Sequence, residues 1–357
     1  MSEADGIPCL WMRGGTSKGA YFLSHDLPAD TGLRDDLLLR IMGSPDARQI
    51  DGIGGGDPLT SKVAILSPPS RPDADVDYLF LQVFVDQALV SDAQGCGNIL
   101  AGVGPAAIER GLVPARMGET PVRIHMRNTG EIALARIATP GGRVSYDGRA
   151  AIDGVPGRHA AVPLMFTGLA GSMTGGAMLP TGQAVDRIEG VDCTLIDMGM
   201  PIVVMDAADL GLSGQESREA LDADTALKAR IEAIRLVAGP MMGLGDVAGK
   251  SVPKMTLVSG TGAGGTICTR SFIPHRCHAS IGVFAAVSVA AACLLPKGPA
   301  ARLAMLPPDD LFRIEHPTGM AEVMLDRDAE GGIRAAGSLR TARKLMDGLV
   351  FPAPARA

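Results

Sequence analysis

The chain has 357 residues, enough for about two domains that each bury a core of their own. With 46% hydrophobic and 20% charged residues it reads as globular rather than disordered, and its 46 glycines and 25 prolines are too scattered for a collagenous or low-complexity chain. Thirty-three basic residues against 39 acidic ones leave a net charge of −6 with no basic run to follow a phosphate backbone, and 3% aromatics supply few rings for stacking. Nucleic acid is therefore not expected as a partner.

At the N-terminus Glu3 and Asp5 stand where a secretory signal would carry positive charge, and no apolar stretch follows them. The cysteines Cys9, Cys96, Cys193, Cys268, Cys277 and Cys293 lack the short spacings of a disulfide framework or zinc site. Both observations lead to the expectation of a reducing compartment, the cytoplasm. Further along, short Val-, Ile- and Leu-rich runs bounded by breakers read as strands, as at Tyr78 to Val85 and Val122 to Met126. Helical patterns cover Leu33 to Met42, Asn98 to Arg110, Ser217 to Val237 and the Ala-rich run from His278 to Leu295. The apolar core of that last run, Ala279 to Leu295, is shorter than the roughly 20 residues of a membrane span and reads as a buried helix. The class is thus mixed α and β.

The second and fourth helices are alike: small-residue-rich, apolar on most faces, and preceded by a cysteine near a turn. A helix apolar all round must be surrounded by protein. That pattern predicts an internal duplication in which each half wraps a sheet around one helix, with a cleft between two like domains. The glycine-rich stretch Ala170 to Ile188 is the expected boundary, giving domains over 1–185 and 186–337, and residues 338–357 are expected to return as a strand to the first.

Several residues carry chemistry. Met12-Arg13-Gly14-Gly15-Thr16-Ser17-Lys18-Gly19 gathers two cations, two hydroxyls and unhindered amides in one loop, suited either to an anion or to a plain hairpin turn; it lacks the spacing of a P-loop. Lys62 ends the glycine-rich loop from Asp51 and opens the apolar run Val63 to Leu66. A desolvated lysine can exchange its proton and act as a base, which arginine cannot; alternatively its stem merely covers apolar surface. Cys96 lies between Gly95 and Gly97 with Asn98 opening a helix, where a thiol can give or take a proton and free amides hold a carboxylate. Cys277, beside Arg276 and His278, is its candidate counterpart, while the other four cysteines read as core. No histidine spacing makes a metal site, no Gly-x-Ser-x-Gly elbow is present, and no cofactor is implied. A base, an acid and several anion holders remain, which describes proton transfer on a small polycarboxylate.

Taken together, Met12 to Gly19, Met42-Gly43-Ser44-Pro45-Asp46, Arg48-Gln49-Ile50-Asp51-Gly52, Thr60-Ser61-Lys62-Val63, Cys96-Gly97-Asn98 and Arg270 to His278 resemble the PrpF family of isomerases, nearly end to end. The resemblance implies an α+β fold of two similar diaminopimelate epimerase-like domains, each a rolled β-sheet around a central α-helix, with the active site in the cleft between them. It implies Lys62 and Cys96 as the catalytic pair, Arg13, Thr16, Ser17, Lys18, Gly97, Asn98, His278 and Ser280 as substrate-binding residues, and no metal or cofactor. Gly52 to Lys62, Val76 to Phe80, Asp153 to Gly157 and Arg340 to Arg343 look closest to the branch acting on 4-oxalomesaconate, a keto-tricarboxylate of bacterial gallate and protocatechuate breakdown. The chain departs from its relatives at Gly95 and at Met198, where they usually carry Asn. The other readings are a methylaconitate cis-trans isomerase, a two-thiol amino-acid epimerase using Cys96 and Cys277, and a non-catalytic polycarboxylate-binding protein. Low charge and high apolar content point to a homodimer.

Overall fold

The computed structural model describes residues 6–93 and 96–354. The chain divides into two compact units, Met1–Leu164 with Leu339–Ala357, and Met165–Ser338. The first holds β1 (Ile7–Gly14), β2 (Ser17–Leu23), α1 (Thr31–Met42), β3 (Lys62–Ser67), β4 (Val76–Val83), β5 (Val90–Ser91), α2 (Gly97–Glu109), β6 (Gly118–Met126) and β7 (Ile132–Thr139). Strand β8 (Ala161–Thr167) leads on to β9 (Asp186–Ile188), β10 (Val191–Asp197), β11 (Pro201–Asp206), α3 (Arg218–Ala223), α4 (Thr225–Met241), β12 (Lys254–Ser259), β13 (Ile267–Phe272), α5 (Val283–Cys293), α6 (Pro299–Leu303), β14 (Leu311–His316) and β15 (Gly319–Arg327). The long β16 (Ile333–Val350) begins in the second unit and ends in the first, where it pairs antiparallel with β1 from Ile7↔Val350 to Gly14↔Ala342.

The two units repeat one order of elements. In the first, the hairpin β1–β2 is followed by parallel β3, antiparallel β4, the helix α2, then β6 parallel to β4 and β7 antiparallel to β6. In the second, β10–β11, β12, β13, α5, β14 and β15 make the same sequence of pairings. The class is α+β, and each unit has its buried helix: α2 touches β1, β2, β3, β4, β6 and β7, and α5 touches β10, β11, β14 and β15. Alternation along the strands explains this layering, since successive side chains serve opposite faces. In the first unit Ala20, Phe22, Val63, Ile65, Leu81 and Val83 cover α1 through Leu37, Leu38, Ile41 and Met42, leaving the intervening residues for α2. In the second, Leu195, Val203, Met205, Met255 and Leu257 meet Leu227, Ile231, Ile234 and Ala238 of α4.

Three expectations need correction. The division falls after Leu164 rather than at residue 185, because the glycine-rich stretch is tied to the end of β10. Asp197 accepts from the Met173 and Thr174 amides at 2.8 and 2.9 Å, and its own N–H donates to Met178 O at 2.8 Å. The helix expected over Ser217 to Val237 is two helices, because Asp224 caps the second by accepting from Leu227 N at 2.9 Å. The Ala-rich helix starts at Val283 rather than His278, since Cys277 is held in a bridge with Phe272 and Gly282 is the N-cap. Among the described residues no helix is long and apolar enough to cross a membrane.

Candidate active site

Lys62 is the first residue of β3 and lies opposite Gly19 of β2 and Gln82 of β4, so the lysine and Gln82 occupy one face. That face covers α2: a Cβ on Gly19 would stand 2.6 Å from Lys62 O and 3.2 Å from Ile99 Cδ1. Lys62 is only 6% exposed. Its Nζ donates to Gln82 Oε1 at 2.7 Å and lies 5.1 Å from the centroid of the Phe80 ring, with no acid beside it among the described residues. Gln82 is itself fixed, its Nε2 donating to Ser61 O at 2.9 Å and Pro58 O at 3.1 Å, which turns its carbonyl oxygen to the lysine. The glycine-rich loop before Lys62 is pinned by buried Gln49, which donates to Ser44 Oγ at 2.9 Å and Ser61 Oγ at 2.7 Å and accepts from Gly56 N at 3.0 Å. Gly54 has to be glycine here, because a Cβ would come within 2.1 Å of Gln49 Oε1.

Cys96 is the half-buried N-cap of α2, and its thiol is not spent on capping the helix. Tyr78 Oη donates to Cys96 O at 3.4 Å. Burial pushes the phenols of Tyr21 and Tyr78 well up, and Cys96 raises both further. Tyr78, Phe80 and Gln82 stand two residues apart on one face of β4, a row roughly 13 Å long that reaches from Cys96 O at one end to Lys62 Nζ at the other. The helix start is open, since a Cβ on Gly97 would meet nothing within 4 Å. Cys96 makes no side-chain cap, so among the described residues the first N–H groups of α2 are available to an anion.

The hairpin between β1 and β2 is packed onto this helix start. A Cβ on Gly14 would stand 2.4 Å from Asn98 O, and one on Gly15, at φ +52°, would stand 2.3 Å from Asn98 Oδ1. Asn98 Nδ2 donates to Thr16 Oγ1 at 3.0 Å, which brings these two expected substrate-binding residues together. Ser17 is buried, and its Oγ has no hydrogen-bond partner among the described residues. Arg13 is largely committed to structure: its Nη1 donates to Gly15 O at 2.9 Å and to Thr341 O and Oγ1 at 3.0 Å, while buried Nη2 has no partner among the described residues. Burial, then the Arg343 charge, draws the Arg13 guanidinium below its ordinary range. Lys18 is exposed, and strand register sets Lys18, Arg13 and Arg343 side by side across three strands.

The remaining expected residues belong to the second unit. Ser280 N donates to His278 Nδ1 at 2.8 Å, and Ser280 Oγ is 3.1 Å from His316 Nε2. Cys277 is 1% exposed, and burial, with Asp222 adding to it, pushes its thiol up to about 11. It sits in the Phe272 bridge rather than at a helix start and so is not the structural counterpart of Cys96. Cys9, Cys193 and Cys293 are buried with thiols raised to about 12, and Cys268 is buried against Gly214 O. Met198 is buried, its N–H donating to Ser288 Oγ of α5 at 3.0 Å, while Gly95 lies outside the described residues. Among the described residues no three or more His, Cys, Asp or Glu side chains are grouped to hold a metal.

Gln82, Phe80 and Tyr78 were not singled out by sequence reasoning. The signal was present: three residues alternate with apolar neighbours on the strand that follows the lysine strand. Only the register reveals that they face Lys62 and Cys96.

Known proteins resemble this chain along nearly its whole length. The family described as PrpF protein matches residues 5–353. The (4E)-oxalomesaconate Delta-isomerase of Novosphingobium sp. (strain KA1) is 63% identical over 349 residues, covering 97% of this chain and 98% of the relative. The 4-oxalomesaconate tautomerase of Pseudomonas putida is 60% identical over 346 residues, covering 96% and 95%. A crystal structure of methylitaconate-delta-isomerase superposes with a TM-score of 0.87 at 35% identity, covering 97% of this chain and 95% of that one.

Proposed function

We propose, from the premise that this chain belongs to the PrpF family and is an isomerase, that it moves a proton on 4-oxalomesaconate with Lys62 and Cys96 as the two proton-carrying groups. The observation that carries this reading is the buried lysine with no acid partner among the described residues, held by Gln82 on the sheet face that also reaches Cys96 at the start of α2. A lysine in that setting has one fixed acceptor and two further N–H positions for exchange with a substrate carbon or oxygen.

The chemistry needs no more than proton carriers and anion holders. The methylene between the ketone and the alkene of 4-oxalomesaconate is acidified by both, and removing one proton leaves a dienolate. Returning the proton to oxygen gives the enol tautomer; returning it to the far alkene carbon gives the alkene-shifted keto acid. The reaction names of the two oxalomesaconate relatives correspond to these two outcomes. The open amides of α2 and the unpartnered Ser17 hydroxyl and Arg13 Nη2 support the binding of a carboxylate or the developing enolate oxygen. His278 and Ser280 are proposed to bind substrate as well. The activity belongs to gallate or protocatechuate breakdown, where this keto-tricarboxylate arises.

The test is turnover by the purified chain. Absorbance at the enol and keto bands should change with 4-oxalomesaconate at a kcat/KM at least about 100-fold above that for methylaconitate. Equal or greater activity on methylaconitate would overturn the substrate, and no activity on either would overturn the reading.

A further inference from the structure

The second unit repeats the lysine of the first. Strand β12 relates to β11 as β3 relates to β2, and each opens on a lysine, Lys254 in one and Lys62 in the other. Each lysine also follows a loop pinned by a buried polar side chain. Gln49 does this before Lys62; before Lys254 it is the fully buried Arg235, whose Nη1 donates to Val247 O at 2.8 Å, Lys250 O at 3.0 Å and Val252 O at 3.3 Å.

The surroundings of the two lysines differ. Lys62 has the Gln82 amide opposite. The pairing of β12 with β13 ends at Met255↔Phe272, and the next residue on β13's side is Ile273, which offers no side-chain acceptor. Lys254 is partly buried and makes no ion pair among the described residues. Its Nζ lies 3.7 Å from the position a Cβ on Gly282 would take, at the N-cap of α5, which has no capping side chain. His278 is held at the same end of this strand pair, its backbone N–H donating at 2.7 Å to Ser271 O on β13, which lies opposite Thr256 of β12. Burial draws its imidazole down, the hydrogen bond from Ser280 N acts the other way, and the charges of Lys254 and Arg218 lower it further. Arg218 is already engaged, its Nε donating to Cys277 O at 3.1 Å. Because His278 Nδ1 accepts from Ser280 N, its neutral ring carries the proton on Nε2, which donates to no described residue. The carboxylate of Asp222 is taken up by the Cys277 amide at 2.7 Å, and among the described residues no carboxylate pairs with Lys254 or His278. A desolvated ammonium and an imidazole N–H are thus left without the one partner that would stabilise both, an anion.

We propose that Lys254 and His278 form an anion-binding site of the second unit that takes one carboxylate of a polycarboxylate ligand. The ligand class rests on the function proposed above, but binding is measurable without turnover. Calorimetry with propane-1,2,3-tricarboxylate compares the wild type with Lys254→Met, Lys254→Arg and His278→Gln, each checked for an unchanged thermal midpoint. Lys254→Met should weaken binding roughly tenfold or more, Lys254→Arg should restore most of it, and His278→Gln should weaken it by a smaller factor. Undiminished binding by Lys254→Met, equal loss in the Met and Arg variants, or no binding by the wild type would overturn the site. A wild type that binds the tricarboxylate through Lys254 yet leaves 4-oxalomesaconate unchanged would refute the proposed substrate alone. An active wild type whose KM is unmoved by Lys254→Met would refute this site alone.

Discussion

At the scale of single residues, the site turns on how Lys62 is held. A buried amine needs its donors satisfied, and here one is taken by Gln82 Oε1 and the cation faces the Phe80 ring. Lys62→Met should lower kcat by about a thousandfold, and Lys62→Arg should not rescue it, because a guanidinium does not give up its proton. Gln82→Leu removes the acceptor but not the lysine, so it should lower kcat more than it raises KM, as steady-state kinetics on both variants would show. Cys277→Ser should leave turnover close to wild type, since that thiol is buried, raised to about 11 and away from a helix start. A large loss there would favour two-thiol epimerisation. Residue chemistry was the most legible layer of the sequence: Lys62 after a glycine-rich loop and Cys96 before a small-residue helix are candidates by type and neighbours, and the family resemblance supplies the roles proposed for them. Arg13 was read less completely. Its engagement with Thr341 joins residues 328 positions apart, which no local pattern exposes.

At the scale of elements, two close approaches are open to test. Helix α2 accommodates Tyr21 at Gly102, where a Cβ would fall 2.3 Å from the phenol oxygen, and that oxygen is bonded to Ile99 O at 2.5 Å. Gly102→Ala should therefore destabilise the fold by about 1–3 kcal/mol in denaturant unfolding, despite the better helix propensity of alanine. In the second unit Glu315 of β14 gathers the Gly262, Ala263 and Gly265 amides at 2.8–2.9 Å and the Thr261 hydroxyl. Burial alone would raise this carboxyl, but those donors outweigh it and hold it below its ordinary 4.5. A depressed folded value means that the stabilisation is full above the unfolded value and is lost as pH falls through the folded one. Glu315→Gln should cost about 2 kcal/mol at pH 7, with the difference from wild type vanishing under strong acid. Helices were legible where their ends carry signals, as at Asp30 before α1 and Gly43 after it. The break at Asp224 was not, because an Asp within an amphipathic pattern reads equally well as a surface residue or a cap.

At the scale of the whole molecule, one order of strands and helices is written twice, and the sequence showed this only through two apolar helices rich in small residues. The remaining correspondence lies in strand direction and register, which pairwise residue similarity does not record. Thus Lys254 emerges as the counterpart of Lys62 from topology rather than from local sequence. The first unit also depends on the end of the chain, because β1 pairs with β16 from Ile7 to Gly14. A chain ending at Ser338 should lose that pairing and the cooperative unfolding of the first unit, visible as loss of amide protection in β1 by hydrogen exchange. Transfer of a substrate proton by Lys62 and Cys96 is tested most directly by proton NMR of 4-oxalomesaconate with the enzyme in deuterated water. Solvent deuterium should enter the methylene or the shifted carbon with the wild type, and incorporation should fall at least about a hundredfold in both Lys62→Met and Cys96→Ser. Undiminished incorporation in either folded variant would contradict the account.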